Sequence, residues 1–501
     1  MSETLNSSAA TTQLVDGSAD DFCEDCGYQP ELKRTLGSFQ VFAISFASMS
    51  VAIGIFSTYD DMLRGSGPVG IWLWPIAMVG QLLIALVYAQ FAARIPLTGS
   101  SYQWGSRLAN PKIGFIYGWL SVCGGAITVA AIDSALASTA FMPLFGIPDN
   151  EGTARLITLS ALAIQVVLAI GSTRIMSLIN SAAVGLEFVI VIALGIALVV
   201  AVVVTGTAST SNLTSRGIAE HATNYFGIGG GLMVAMLMGM TTLQGFEVGA
   251  NMAEEAKAPF RSVPRAIVGS VIASGTLGML FLIALTVSIK DIPKVSASQS
   301  SVALVIHEQL GSVVERVLLV GIIFAFFGGG LVVIVTCARI VYAMSRDQRF
   351  PGYRLMRRVN PRTQTPIPAT ILYFALGVIL LVVLPGQALL QLIQAGTLNE
   401  TLLYALTVIL YLAVRKRLAR REGAFDLGRF ELPIAVSALV WTGLVVFFVM
   451  APSDSLSPAF VIVGLVLAGG VYLAYMWFAR REVLDNEPGD DIFDIDTEVA
   501  K

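Results

Sequence analysis

Runs of about 20 apolar residues with almost no charge, such as Leu186 to Val204, Leu318 to Val335 and Pro458 to Leu473, constrain this chain more than any other feature. A helix of that length crosses the hydrocarbon core of a bilayer. No water is available there to satisfy backbone N–H and C=O groups, so a spanning segment must be a helix or a strand of a closed barrel. Barrel strands would show weak alternation over about ten residues, whereas these runs are continuous. Only 13% of the 501 residues are charged and 55% are hydrophobic, against about 25% charged in a soluble domain. The chain is read as an all-α polytopic membrane protein, and a net charge of -3 gives no reason to expect a nucleic-acid partner.

Segmentation gives about twelve spans, near 37–60, 68–93, 113–145, 154–171, 174–204, 231–255, 264–289, 312–345, 367–384, 388–414, 432–451 and 457–479. Polar turns such as "GIPDNEG", "NPRTQTP" and "APSDS" separate most of them; the division of spans 4 and 5 at "GSTR" is the weakest. With both termini in the cytoplasm, Arg64, Arg155, Arg216, Lys290, Lys294 and Arg316 face outward and the other basic residues inward. That asymmetry is the positive-inside pattern, and an odd number of spans would destroy it. A plasma-membrane location follows as the expectation.

Residues 1–36 are polar and carry no apolar run behind a basic flank, so they read as a disordered cytoplasmic tail without a cleavable signal. Residues 481–501 read as an acidic cytoplasmic tail. Cys23 and Cys26 form a lone CxxC with no second pair or nearby His to complete a zinc site. No metal and no cofactor are expected, and Cys123 and Cys337 are expected to pack within spans.

Two spans are interrupted. Span 1 contains "SMSVAIGIF" (Ser48 to Phe56), and span 6, five spans later, contains "TTLQGFEVG" (Thr241 to Gly249). Interruptions at matching positions of two halves point to a transporter built from inverted repeats, with its site at the breaks. Freed carbonyls there can bind a cation, and freed N–H groups at the start of a half-helix can bind a carboxylate.

Four stretches carry a resemblance to a known family. They are "GYQPELKRTLGSFQVFAISFASMSVAIGIF", "GPVGIWLWPIAMVGQLLIALVYAQFAARIPLTGSSYQW", "GFEVGANMAEEAKAPFRSVPRAI" and "ARIVYAMSRDQRFP" followed by "NPRTQTPIPAT". In this order, over about residues 28–480, they resemble the amino acid–polyamine–organocation superfamily, most of all its amino acid/choline branch. The resemblance implies two inverted five-helix repeats, 37–204 and 205–414, followed by two additional helices over 415–480. It implies a secondary transporter of amino acids or related amines, with γ-aminobutyrate, choline and polyamines among the candidates. It places substrate against Val51, Ala52, Ile53 and Gly54 of span 1, against Thr241, Thr242, Leu243, Gly245 and Phe246 of span 6, and near Asn399 of span 10. Many relatives have a Gly-Ser-Gly-like break where this chain has Ala52-Ile53-Gly54, which weakens the expectation of a tightly held α-carboxylate.

Ionisable residues within spans are functional candidates by default. Glu247 follows the span 6 break, Glu187 stands in span 5 where many relatives place a lysine, Asp133 lies in the middle of span 3, and Glu400 follows Asn399. No basic residue lies deep enough to pair with them, and Arg339 sits near the inner end of span 8. Burial without a partner favours the neutral form of a carboxyl group, so Glu247, Glu187 and Asp133 are expected to carry protons, ahead of sodium coupling. The charges just inside spans 6 and 8, among them Glu254, Glu255, Lys257, Arg261, Arg265, Arg346, Asp347 and Arg349, are candidates for an inner gate. The basic stretch Arg415 to Arg429 suits the inner leaflet.

The alternative is a transporter of another cationic small molecule, such as a vitamin. An integral membrane enzyme would need catalytic or metal clusters, yet the only histidines are His221 and His307, both in loops. A channel would usually show a pore-loop repeat. The orientation makes a direct prediction. In a cysteine-free background, Ala10→Cys and Asp490→Cys should both resist an impermeant thiol reagent added to intact cells, and labelling of either overturns the topology.

Overall fold

A computed structural model describes residues 34, 36–97, 99–148, 150–171, 173–298, 300–360, 363, 365–383, 389–418, 424–451 and 456–485. The Cys23/Cys26 pair and nearly all of both predicted tails lie outside the described residues. Among the described residues the regular elements are all helical. Eleven helices are long and apolar enough to cross a membrane, and Ile367–Val383 is apolar but shorter. In chain order these are span 1 (Ser38–Met49 and Val51–Ser66), span 2 (Pro68–Arg94), span 3 (Pro111–Phe145), span 4 (Glu151–Gly171), span 5 (Thr173–Thr205) and span 6 (Gly231–Thr242 and Phe246–Glu255). Span 7 (Pro259–Val287), span 8 (Ser312–Arg346), span 9 (Ile367–Val383), span 10 (Leu389–Val414), span 11 (Glu431–Met450) and span 12 (Leu456–Ala479) complete the set.

Most limits agree with the hydropathy reading to within a few residues, but span 1 does not. It continues past residue 60 to Ser66, through Asp60 and Asp61. The charges do not end the helix because each acid has a partner. The Ser301 amide donates to Asp60 Oδ1 at 2.8 Å, and Arg64 lies 4.0 Å from Asp61. Short elements that hydropathy cannot reveal fill the connections: Ser100–Leu108 between spans 2 and 3, and Ile292–Ala297 with Ser301–Leu310 between spans 7 and 8. Ser100 to Arg107 are buried one after another although the segment is polar, so no apolar run announces it.

The packing repeats with an offset of five. Span 1 packs on span 6, span 2 on span 7, span 3 on span 8 and span 4 on span 9. The pair 3–10 has its counterpart in 8–5, the pair 1–7 in 6–2, and the pair 3–4 in 8–9. Spans 11 and 12 lie outside this pattern: span 11 rests on spans 2 and 10, span 12 on spans 10 and 3. Apolar side chains cover the outside as well as the core, with Val199, Val203, Phe460 and Phe478 exposed. In a bilayer that outer surface meets lipid, and helices are held together by close fit and hydrogen bonds.

Small residues set the closest approaches. The Trp74 indole of span 2 lies over Gly278 of span 7 and donates to the Gly275 carbonyl at 2.8 Å. On the other side of span 2, a side chain at Gly80 would overlap the ring of Trp441 from span 11. Gly80→Val should force that buried indole aside at a cost of about 1–3 kcal/mol. Thermal unfolding of the detergent-solubilised variant should show a lowered midpoint, and an unchanged midpoint would show that span 11 does not depend on this contact.

Candidate functional site

Span 1 breaks at a serine. Ser50 adopts φ 35 and ψ 90, a left-handed conformation between the two half-helices. Its hydroxyl donates to Glu187 Oε1 of span 5 at 2.9 Å and accepts the Ile53 amide at 3.3 Å. The same carboxylate oxygen accepts the Ala52 amide at 3.2 Å, and Glu187 also takes the Val51 amide. The next residue of span 5, Phe188, stacks on Phe46 of the first half-helix with ring centroids 4.1 Å apart. Span 5 therefore grips both sides of the break. The break thus precedes Ala52 to Gly54, which lie in the first turn of the second half-helix. Gly54 is small for another reason: a Cβ there would overlap Thr242 of span 6.

Span 6 breaks over Leu243, Gln244 and Gly245. Gly245 has φ +93, and a Cβ on it would lie 3.1 Å from the Ser48 carbonyl. Glycine is required here both by conformation and by close approach. The loosened backbone is stitched to span 10. The Gly245 amide donates to the Tyr404 hydroxyl at 3.0 Å, and that hydroxyl donates to Glu247 Oε2 at 2.7 Å. Gln244 Nε2 donates to Thr401 Oγ1 at 3.1 Å. Thr397 already donates to the Ile393 carbonyl, and a hydroxyl has one proton to give. In the 2.7 Å contact between Thr241 and Thr397, Thr241 must be the donor. The Tyr404 ring stacks on Phe246 at 5.0 Å and meets Tyr88 edge-on at 5.4 Å.

Between the breaks lies a cavity of about 180 Å³. Ile53, Gly54, Thr241 and Gly245 face it, together with the carboxyl-bearing Glu247 and Glu400. No Lys, Arg or His is among its lining residues. The carboxyl groups of Glu247 and Glu400 lie beside each other at the wall of this cavity.

The remaining residues expected at the site fall around it. Val51, Ala52, Thr242, Leu243 and Phe246 are buried but do not line the cavity. Asn399 turns away and donates to the Leu120 carbonyl of span 3 at 3.0 Å. Glu187 serves the span 1 break, outside the cavity lining. Asp133 lies fully buried beside Gln165 of span 4, whose amide donates to it at 2.8 Å. At the end of span 6, Glu255 pairs with Arg339 of span 8 at 3.2 Å. Leu36 bonds to both Glu255 and Lys257, tying the chain before span 1 to the end of span 6. The sequence reading passed over Thr397, Thr401, Tyr404 and Thr407. They are hydroxyls spaced by four, three and three residues in an apolar helix, a one-sided stripe.

The profile of a family described as "Amino acid permease" matches residues 36–476. The chain is similar to amino-acid permease BAT1 of Arabidopsis thaliana, 26% identical over 452 residues, covering 83% of this chain and 85% of that protein. It is similar to a putative polyamine transporter of Candida albicans, 24% identical over 490 residues, with 91% and 86% covered. It is also 26% identical over 453 residues to the GABA-specific permease of Saccharomyces cerevisiae, with 86% and 78% covered.

Gly396 offers a clean way to fill the cavity. It lines the space from span 10, and a Cβ there meets only Ile127 at 3.6 Å and Thr128 at 3.9 Å. Gly396→Leu should project into the cavity and reduce amine or amino acid binding about tenfold or more, the scale of a lost pocket. Its thermal midpoint should stay close to that of the unmodified protein. Gly54→Leu would instead wedge spans 1 and 6 apart at Thr242. Normal ligand binding by Gly396→Leu, measured by thermal shift or uptake, places the site elsewhere.

Proposed function

The chain belongs to the amino acid permease family, and we propose that it is a plasma-membrane transporter in which a cationic amine exchanges with a proton in the cavity between its broken spans. That it transports amino acids or related amines, and is not an enzyme, follows from the family. The observation that carries the finer reading is the Glu247–Glu400 pair facing a cavity without a lining cation. An ammonium group arriving there supplies the positive charge that the shared proton supplied before. Substrate and proton then compete for one place, and the competition couples their movements. The relatives named for γ-aminobutyrate and polyamines support a substrate with at least one amino group.

Residues 37–204 and 205–414 act in this reading as two inverted repeats with 415–480 added, which the five-span offset in packing supports. Both termini face the cytoplasm, as the basic residues suggest. Glu187 and Asp133 are further candidates for proton movement, Glu187 through its hold on the hinge of span 1 and Asp133 through spans 3 and 4.

The sign of the pH effect follows from competition. Lowering pH fills the pair with protons, so binding of a monoamine should weaken as pH falls. Glu247→Gln and Glu400→Gln remove the exchange of charge. Each should weaken amine binding about tenfold, the cost of losing one charged hydrogen-bond partner, and flatten the pH dependence of uptake into proteoliposomes. Retention by both variants of the unmodified pH profile and of its sensitivity to a proton ionophore would remove the pair from the coupling mechanism.

A further inference from the structure

The start of a helix leaves N–H groups without partners and carries a partial positive charge, which makes it a ready seat for a carboxylate. Two half-helices begin beside the cavity; the protein's own groups serve the start of the first and the glycine that precedes the second. In span 1 the Val51 and Ala52 amides go to Glu187, the Ile53 amide to Ser50 Oγ, and the Gly54 amide to the Ser50 carbonyl at 2.9 Å. In span 6 the Gly245 amide goes to Tyr404, and Glu247 stands within the first turn. Glu187 is 4% exposed and the Ser50 side chain that shares it is equally enclosed.

We propose that Glu187 fills, from within the protein, the seat that a substrate carboxylate would take at the second half of span 1. Substrates are then recognised by ammonium groups, and amines carrying no carboxylate are accepted. This rests on the reading of the cavity as the substrate site. Three observations converge on it. Glu187 satisfies the amides that would otherwise hold the carboxylate. The lining residues include Glu247 and Glu400 but no basic side chain to act as counter-ion. Of the lining side chains at the start of this half-helix, Ser50 already donates its hydroxyl to Glu187, and Ile53 has no hydroxyl to donate to a carboxylate. A carboxylate entering this cavity would surrender its hydration and find two acids in return, which is unfavourable. An ammonium would find acceptors in both acids and in the hydroxyls of Ser57, Thr58 and Thr241.

The test uses the full chain in proteoliposomes with three ligands that share a four-carbon amine and differ at the far end: butylamine, 1,4-diaminobutane and γ-aminobutyrate. With the unmodified protein, both carboxylate-free amines should bind at least as well as γ-aminobutyrate. Glu187→Ala vacates the seat and should shift the ratio of γ-aminobutyrate to butylamine binding about tenfold toward the amino acid, the scale of a gained charged hydrogen bond. Glu187→Gln keeps an oxygen on the same amides and should keep the original ratio, which a merely structural role would not require. An unmodified protein that prefers γ-aminobutyrate over butylamine by about tenfold or more overturns the inference. An unchanged ratio in a folded Glu187→Ala variant, or failure of all three ligands to bind, does so too. If Glu187→Ala does not fold, the ratio in the unmodified protein still decides. Gly396→Leu separates the two levels: loss of all three ligands keeps the cavity as the site whatever the ratio shows, whereas unaltered butylamine binding removes the cavity reading itself.

Discussion

A helix can be broken inside a bilayer only if something other than water takes over its backbone hydrogen bonds, and the arrangement of this protein follows from how that requirement is met twice. At Ser50 the exposed amides of span 1 are taken by Glu187 of span 5. At Gly245 the loosened turn of span 6 is taken by Tyr404 and Thr401 of span 10. Spans 1 and 6 differ by five places in the chain, and so do spans 5 and 10. The last helix of each set of five closes the break in its first. In both cases the closing helix also touches the half-helix before the break, through Phe188 on Phe46 and through Thr397 on Thr241.

The two closures use different chemistry. Span 10 offers hydroxyls that already donate within their own helix, Thr397 to Ile393 and Thr401 to Thr397. Those two threonines can therefore only accept from span 6, whereas Tyr404 accepts the Gly245 amide and donates to Glu247. Span 5 offers a carboxylate, which accepts without needing any such arrangement and answers the dipole of the half-helix it caps. The hydroxyl seam is insensitive to charge. The carboxylate cap rests on a single side chain, so the hold on span 1 is the more easily altered of the two. Movement is accordingly easier to place in span 1, where one side chain holds three backbone or hydroxyl donors.

Much of this was legible from the residue pattern, and the failures have physical causes. The spans and the two interruptions were visible because a bilayer demands long apolar helices and punishes unexplained breaks. The position of the first break was not. The resemblance put the break at Ala52-Ile53-Gly54, yet Gly54 is small so that Thr242 can approach, while Ser50 makes the turn with side-chain help from a helix 137 residues away. Such help cannot be read from local sequence. At the second break Gly245 has both roles, a positive φ and a close approach to Ser48, and the local reading sufficed. The resemblance placed substrate near Asn399, but a resemblance does not give the direction of a side chain. The Asn399 amide is spent on Leu120, while Glu400 on the next 100° of the helix faces the cavity.

The acids in the membrane therefore divide by what surrounds them rather than by how deeply they lie. Glu187 is surrounded by donors and serves as an anchor. Glu247 has one donor in Tyr404 and one competitor in Glu400, an arrangement that leaves room for a further cation. Asp133 has a single donor in Gln165, and its second oxygen is buried without a partner. A carboxyl group whose oxygens are already taken by donors offers little to an arriving ligand. In the proposed reading, a pair of acids facing one cavity can meet either a proton or an ammonium, and so can convert the arrival of one cation into the release of the other. The division of labour between span 5 and the Glu247–Glu400 pair thus comes from a difference in donors. The same difference allows the hinge to be held by one acid while the others remain available to substrate.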